Sequence, residues 1–183
     1  MYKIKLKNSE DEILLDDKVF DYLSNDPYLT KIGFLNNLRK HSSGCAVFQR
    51  TWKIGYRDYN NETIYLHKLI AEKFLGDQKT SDKKLVGALN GNKLDCRLEN
   101  LAYRTRAVAS RMRNTKNKEG YTGVYRESKK YRAVISKDKK TIHLGMFDTA
   151  EEAALAYNKK SKELFGENGK QNKIKTISKN TGD

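Results

Sequence analysis

The stretch KLVGALNGNKLDCRLENLAYRTRAVASRMRN, Lys84–Asn114, sets how the rest of the chain can fold. Lys84 to Leu89 has the composition of a β-strand. Asn90-Gly91 then gives the strongest short signal for a hairpin turn, because both central residues of such a turn take positive φ. After a second short strand, a helix is predicted to start near Asp95. The stretch is therefore predicted to form a hairpin followed by a helix.

The composition favours a polyanionic partner. The chain has 183 residues, enough for one or two small domains, and 37% of them are hydrophobic. Its net charge is +14 and its pI about 9.6, which favours nucleic acid over a membrane surface. The chain has eleven tyrosines and 37 basic residues, which fits a surface that neutralises phosphate with its charges and stacks or packs with its aromatic rings. The alternative is a charge that serves solubility alone.

The densest positive charge lies between positions 104 and 118, which hold six basic residues and no acidic one. A basic connector that follows the DNA backbone explains why charges of one sign cluster there. The alternative is a continued helix with a solvated face. The residues expected to contact phosphate are Arg104, Arg106, Arg111, Arg113, Lys116 and Lys118.

The two cysteines, Cys45 and Cys96, form neither a CxxC pair nor a metal-ligand cluster. We therefore expect a reduced, cytoplasmic setting, at the nucleoid when the protein is bound to DNA. No apolar run approaches the ~18 residues of a membrane span. The first ten residues are charged and lack the apolar core of a signal peptide. No membrane partner is expected.

The expected fold class is α+β, with an N-terminal set of strands and helices before the hairpin. The predicted strands there are Tyr2–Leu6, Glu12–Leu15, Cys45–Arg57 and Thr63–Leu66, with a turn over Asp58–Glu62. The predicted helices are one capped by Asp16 or Asp17 and running through Leu23, one over Lys31–Lys40, and one over Leu66–Leu75.

The C-terminal part is predicted to be a three-stranded antiparallel sheet packed on one helix. Its strands are Tyr121–Tyr125, Tyr131–Ser136 and Thr141–Leu144. Thr149 and Glu152 have the spacing of a capping box, which predicts a helix from there to about Phe165. The predicted domains are 1–103, a connector 104–118, a sheet-and-helix domain 119–173 and a polar tail 174–183.

The stretches YLHKLIAEKF (65–74) and LNGNKLDCRLENL (89–101) resemble the HNH endonuclease family, which has a hairpin-helix metal site. In that family the first strand ends in Asp-His, where Asp binds a divalent metal and His is the general base. Those positions fall on Gly87 and Ala88, and a third metal ligand falls on Ala109. Only the structural Asn, Asn100, is retained.

This departure from the family pattern predicts that no magnesium is bound and no general base is present. Glycine and alanine supply neither a metal ligand nor a base, and losing the base alone costs roughly 10²–10⁴-fold in rate. No substitute is evident. His67 is expected to be a packed helix-start residue, Asp95 a helix cap, and His41 a loop residue without a partner. Natural loss and deliberate replacement are both open as the origin.

The stretches GYTGVYRESKKYRAVI (120–135), HLGMFDTAEEAALAYN (143–158) and LFG (164–166) resemble the Apetala-two/ethylene-response-factor DNA-binding domain. The resemblance implies that the outer face of the sheet enters the major groove of DNA. Where that family has Arg and Trp, this chain has Tyr125, Thr141 and His143, so the base preference is not transferable. Arg132 is the best candidate for a guanine contact. The expected DNA-binding residues are Tyr125, Arg126, Lys129, Lys130, Arg132, Ser136, Thr141 and His143.

The order of the two parts resembles homing-type endonucleases of phages and bacteria. Three functions remain open. The first is a sequence-specific binder of double-stranded DNA without nuclease activity. The second is an HNH endonuclease, active or artificially silenced. The third is a module that binds and regulates a host protein acting on DNA. The replaced site residues favour the first over the second, and the basic connector and sheet favour it over the third.

Overall fold

The computed structural model describes residues 1–113, 115 and 117–174. The chain forms two compact units, Met1–Ala109 and Ser110–Asp183, and each has its own hydrophobic core. Small antiparallel sheets and a few helices make up both units, which confirms the α+β class. Among the described residues, no helix has the length and apolar character needed to cross a membrane.

The first unit contains three antiparallel sheets and the helices that cover them. The strands pair as β1 with β2, β3 with β4 and β5, and β6 with β7. The elements are β1 Tyr2–Lys5, β2 Glu12–Leu15, α1 Asp17–Asn25, α2 Pro27–Lys31, β3 Arg39–Lys40, β4 Ala46–Gly55, β5 Asp58–Tyr65, α3 Leu66–Phe74, β6 Lys83–Ala88, β7 Leu101–Thr105 and α4 Arg106–Arg111.

Apolar side chains from several strands and helices form the core of the first unit. α1 contributes Val19 and Leu23, and α3 contributes Leu66 and Ile70. Backbone hydrogen bonds also link β2 to the loop between β6 and β7. The backbone N–H of Leu14 donates to the carbonyl of Leu94 at 3.0 Å, and that of Cys96 donates to the carbonyl of Leu14 at 3.0 Å. β2 therefore fixes the loop that leaves β6.

The helix predicted over Lys31–Lys40 is not present. A helix instead starts at Pro27, where Asp26 caps it by accepting hydrogen bonds from the backbone N–H groups of Tyr28 and Leu29. Proline fits this first helical position because its missing N–H has no partner to lose there. A 3₁₀ turn over Leu35–Asn37 and the strand β3 occupy half of the predicted helix.

The turn predicted over Asp58–Glu62 is also wrong. Those residues belong to β5, and the strands of this long hairpin reverse at Tyr56-Arg57, with Arg57 at φ +59°. The run of asparagines at 60 and 61 reads locally as a turn, but both residues pair with β4.

The helix expected near Asp95 begins instead at Arg106. Between β6 and β7 the chain forms a loop and a 3₁₀ turn over Leu98–Asn100. Asp95 does not cap a helix, because its carboxylate accepts hydrogen bonds from the side chains of Arg97 and Asn90. The partner strand of the hairpin is thus β7, and Asn90-Gly91 lies inside a longer loop.

The second unit is a three-stranded sheet with a helix across one face. Its elements are β8 Val124–Glu127, β9 Lys130–Lys137, β10 Lys140–Phe147 and α5 Ala150–Phe165. β9 lies in the centre, between β10 and β8. The capping box is confirmed. Thr149 Oγ1 accepts from the N–H of Glu152 at 3.2 Å, and Glu152 Oε2 accepts from the N–H of Thr149 at 3.3 Å.

Small residues let α5 lie close to the sheet. Ala153 and Ala154 on the helix are fully buried against Val124 and Ala133 on the strands. Gly123, just before β8, has φ +74°, and a Cβ there would lie 2.4 Å from the ring of Tyr157. The close helix-to-sheet distance therefore depends on side chains that are small or absent.

The predicted connector 104–118 is not one irregular segment. Arg104 and Thr105 end β7, and Arg106–Arg111 form α4. Lys116 and the tail from 175 onward lie outside the described residues. The first half of the predicted connector is therefore regular secondary structure.

Candidate functional site

The β6–β7 hairpin brings together three of the positions singled out in the sequence, Gly87, Ala88 and Asn100. Gly87 pairs with Ala102, and Ala88 pairs with Leu101, directly after the turn that carries Asn100. α4 follows β7 without a linker and carries Ala109. Positions 87, 88 and 100 thus lie at one end of a single hairpin.

Asn100 holds the loop that follows β6. The residue is only 4% exposed. Its Oδ1 accepts a hydrogen bond from the N–H of Asn90 at 2.9 Å, and its Nδ2 donates to the carbonyl of Asp95 at 2.7 Å. Its own carbonyl accepts from the N–H of Leu89 at 2.7 Å. The side chain of Asn100 therefore fixes both ends of the segment 90–95, and its backbone carbonyl holds Leu89.

Asp95 is a buried carboxylate in the loop between β6 and β7, and both of its oxygens accept hydrogen bonds. It is 2% exposed, and its two oxygens accept from Nε and Nη2 of Arg97, each at 2.8 Å. The second oxygen also accepts from Nδ2 of Asn90 at 2.9 Å. Hydrogen bonds from Arg97 and then Asn90 lower the pKa of Asp95 despite its burial. Its role is to fix the loop.

Arg104 has a position that the sequence reasoning did not foresee. The arginine is only 8% exposed, although it belongs to the charge cluster that was expected to contact phosphate. Its Nη2 donates to the carbonyl of Ala88 at 2.9 Å. A Cβ built on Gly87 would lie 3.3 Å from its Nη1 and 3.5 Å from its Cζ. The guanidinium therefore lies against Gly87, the position at which the HNH resemblance led us to expect a metal-binding carboxylate.

A divalent metal does not fit this hairpin end. Positions 87 and 88 supply no ligand atom from a side chain, and a positively charged guanidinium lies against them. Within the part of the chain that the structure describes, no three His, Cys, Asp or Glu side chains are grouped so that they could hold a metal ion. The residues present therefore do not match the chemistry of a magnesium site.

His67 at the start of α3 is half-buried, and its Nδ1 has no hydrogen-bond partner within the described chain. Burial, followed by the nearby charges of Lys68 and Lys93, lowers the pKa of His67 to about 4. The imidazole is thus neutral at pH 7. His41 does have a local partner, because its Nδ1 lies 2.9 Å from Oγ of Ser43.

Comparison with known proteins adds one match. The model of the HNH endonuclease family matches residues 64–111, which run from the end of β5 through α4. Residues 64–111 form an HNH endonuclease-like domain. No curated protein matches the chain. Because HNH domains act on DNA, the match indicates a DNA-related function.

The outer face of the sheet in the second unit carries most of the other predicted residues. Tyr125 pairs with Arg132, whose guanidinium lies 5.9 Å from the tyrosine ring and 2.8 Å from the carboxylate of Glu127. Ser136 pairs with Thr141, and Val134 pairs with His143. Paired residues of an antiparallel sheet share a face, so these side chains form one surface opposite α5.

Arg126 lies on the other face of the sheet. It pairs with Tyr131, which in turn pairs with Phe147, and both aromatic rings pack on the core under α5. Its side chain is exposed at the edge. Lys129 occupies the turn after β8, and Lys130 pairs with Glu127 on the outer face and lies 3.2 Å from Asp148. Arg126 is therefore not part of the outer surface with Arg132.

Met146 is an outer-face residue that alternation did not predict. A β-bulge between His143 and Gly145 shifts the register, so that Met146 pairs with Arg132 and Phe147 turns inward. Met146 is 46% exposed. A glycine inside a strand is the typical signal of a bulge, so Gly145 could have revealed this shift.

The remaining basic residues of segment 104–118 differ in exposure. The guanidinium of Arg111 stacks on the ring of Phe165 at 3.6 Å and donates to the carbonyl of Asn168 at 3.2 Å. Arg106, Arg113 and Lys118 are exposed. Among the described members of this cluster, these three have side chains exposed to solvent.

The β4–β5 hairpin was not singled out by the sequence. Its far end exposes apolar side chains, with Tyr56 at 85%, Ile54 at 58% and Tyr59 at 57%. Arg50 stacks on the ring of Trp52 at 4.7 Å and forms an ion pair with Glu62. The alternation of aromatic and polar residues in 50–59 was available as a signal, but it predicts a strand without indicating that both faces are exposed.

Proposed function

We propose that this protein binds double-stranded DNA sequence-specifically and does not hydrolyse it. One observation carries the proposal. Within the HNH-like segment, Arg104 lies against Gly87 and donates to the carbonyl of Ala88, where the family pattern has a metal ligand and a base. An arginine stays protonated at physiological pH, so it cannot act as the general base for water.

The second unit supplies the sequence-reading surface in this proposal. We assign residues 119–173 as an ethylene-response-factor-like DNA-binding domain, on the strength of its sequence resemblance and its three strands on one helix. Its outer face presents Arg132, Ser136, Thr141 and His143, which together can donate to and accept from base edges. The exposed Arg113 and Lys118 supply sequence-independent contacts to phosphate.

Cleavage and binding assays on the same DNA test this proposal. We expect supercoiled plasmid to stay intact with the protein in Mg²⁺ or Mn²⁺, while a duplex selected from a random library shifts in a gel containing EDTA. Plasmid cut by a restriction enzyme in the same buffers is the control for metal activity. Metal-dependent nicking that EDTA abolishes would contradict the proposal.

A second candidate function rests on the far end of the β4–β5 hairpin. Tyr56, Ile54 and Tyr59 are apolar side chains that remain exposed there, as is typical of surfaces that bind another protein. In this case the chain is a module that regulates a protein acting on DNA. A chain that binds no duplex at low salt, in the experiment above, would favour this second function.

A further inference from the structure

The charge of Arg104 has no counter-ion in the part of the chain that the structure describes. Its one hydrogen bond goes to a neutral carbonyl, that of Ala88, and no Asp or Glu among the described residues forms an ion pair with it. Burial is the cause that lowers the pKa of Arg104. A cation held in this way costs folding free energy, because its lost hydration is not replaced by an opposite charge.

The surroundings of Arg104 differ from those of the other buried charge in this unit. Asp95 is buried too, but Arg97 neutralises it through two hydrogen bonds. The fold therefore provides a counter-ion for one buried charge and none for the other. Gly87 lies directly against the guanidinium of Arg104 and places no side chain over it.

From these observations we propose that Arg104 is an anion-binding residue that receives one phosphodiester of duplex DNA at the end of the β6–β7 hairpin. A guanidinium matches the geometry of phosphate oxygens through its planar fork of N–H groups. Ala88 orients this fork by accepting one of its hydrogens, and Gly87 leaves the guanidinium uncovered by a side chain. The inference rests on the proposed function, in which the protein binds duplex DNA without cutting it.

Arg104→Met tests the inference, because methionine keeps much of the apolar stem and removes the charge. We expect the variant to melt at the same or a higher temperature than the wild type, since an uncompensated charge is removed. Its affinity for all duplexes should fall roughly tenfold to a hundredfold, as expected for a charge-assisted hydrogen bond. The slope of log affinity against log salt should flatten by about 0.9.

Arg39→Met is the matched control, because Arg39 is an exposed arginine of the same unit in the short strand β3. It should change neither the salt slope nor the affinity by a comparable amount. Arg104→Lys keeps the charge without the fork and should recover the salt slope but only part of the affinity. An Arg104→Met protein that binds DNA like the wild type would overturn the inference and leave the proposed function intact.

A second arm covers the case in which the wild type binds no duplex, which would overturn the proposed function. Inorganic phosphate is then compared with chloride at equal ionic strength in thermal melts. We expect phosphate to raise the melting temperature of the wild type and not that of Arg104→Met. Equal shifts for both proteins would overturn the anion site. A variant that loses stability together with DNA affinity would do so as well, because the guanidinium would then be structural.

Discussion

At the scale of single residues, Gly87 and Arg104 form one arrangement. Removing the side chain at position 87 leaves room for the guanidinium, and a carboxylate there would lie beside a cation and pair with it. The retained Asn100 still holds the loop through three hydrogen bonds. Asn100 thus holds the loop of this HNH-like hairpin, and the charge at the end of the hairpin is that of an arginine.

His67 gives a pH prediction at this scale. The pKa of His67 is lowered from 6.5 to about 4 in the folded chain, mainly by burial. The unfolded chain therefore takes up a proton first as the pH falls. The contribution of the neutral imidazole to the free energy of unfolding is fully present above pH 6.5. It decreases between pH 6.5 and pH 4 and is fully lost below about pH 4. We expect His67 to contribute a loss of about 2 kcal/mol between pH 7 and pH 4.5.

Urea unfolding followed by the fluorescence of Trp52 measures this loss in the first unit, because Trp52 is the one tryptophan of the chain. His67→Gln is the comparison. Its free energy of unfolding should change little over the same pH range, apart from contributions that it shares with the wild type. Equal slopes in the two proteins would show that His67 is not buried in its neutral form.

At the scale of elements, α5 and the sheet of the second unit depend on close approach. The helix begins at the capping box of Thr149 and Glu152, which is a local signal. Its distance from the sheet is set elsewhere, by Ala153 and Ala154 on the helix and by Gly123 before β8. The β-bulge at Gly145 then decides which side chains of β10 face outward.

Two glycines with nearly the same φ allow the cost of backbone conformation to be separated from the cost of a steric clash. Gly123 and Gly120 have φ +74° and +73°, but a Cβ on Gly123 would lie 2.4 Å from the Tyr157 ring and from the carbonyl of Val134, whereas one on Gly120 meets nothing within 4 Å. Gly120→Ala should therefore cost about 1 kcal/mol from φ alone. Gly123→Ala should cost more than about 3 kcal/mol or unfold the second unit.

Thermal unfolding followed by NMR of the second-unit amides tests this difference. The first unit serves as an internal control, since its amide signals should be unaffected in both variants. If Gly123→Ala were as stable as Gly120→Ala, α5 would not lie against the sheet as described.

At the scale of the whole molecule, the net charge of +14 is divided among residues in different settings. Arg104 is buried, Arg111 is stacked on Phe165, and Arg113 and Lys118 are exposed. Arg132 faces outward in the sheet and is paired with Glu127. A positive charge in the sequence therefore does not by itself identify a DNA contact.

Binding titrations on a selected site and on scrambled DNA, at several salt concentrations, should distinguish these settings. Arg113→Ala with Lys118→Ala should weaken binding to both DNAs alike and flatten the salt slope by roughly 1.8, at about 0.9 per charge. Arg132→Ala should cost about 1–3 kcal/mol on the selected site and much less on scrambled DNA.

Glu127→Ala is the control for Arg132. It frees the guanidinium from its ion pair and should strengthen binding to the selected site. If Arg132→Ala lowered both affinities equally, the outer face of the sheet would not read base sequence.

The sequence alone determined the features whose causes act within a few residues. The capping box predicted the start of α5, and apolar spacing predicted α3. The causes of these signals are local hydrogen bonds and burial of one face, and both depend on residues that are close together in the sequence. The absence of the family's site residues at Gly87, Ala88 and Ala109 stays a prediction from the sequence resemblance.

The tertiary structure decided the features that depend on residues far apart in the chain. Asp95 does not cap a helix, because the bonds between Leu14 and the 94–96 segment, together with Arg97, hold it in a loop. Arg104 is buried because β7 pairs with β6 and Gly87 leaves it space. The sequence gives the charge of an arginine, whereas its exposure and its counter-ion are fixed only when distant strands come together.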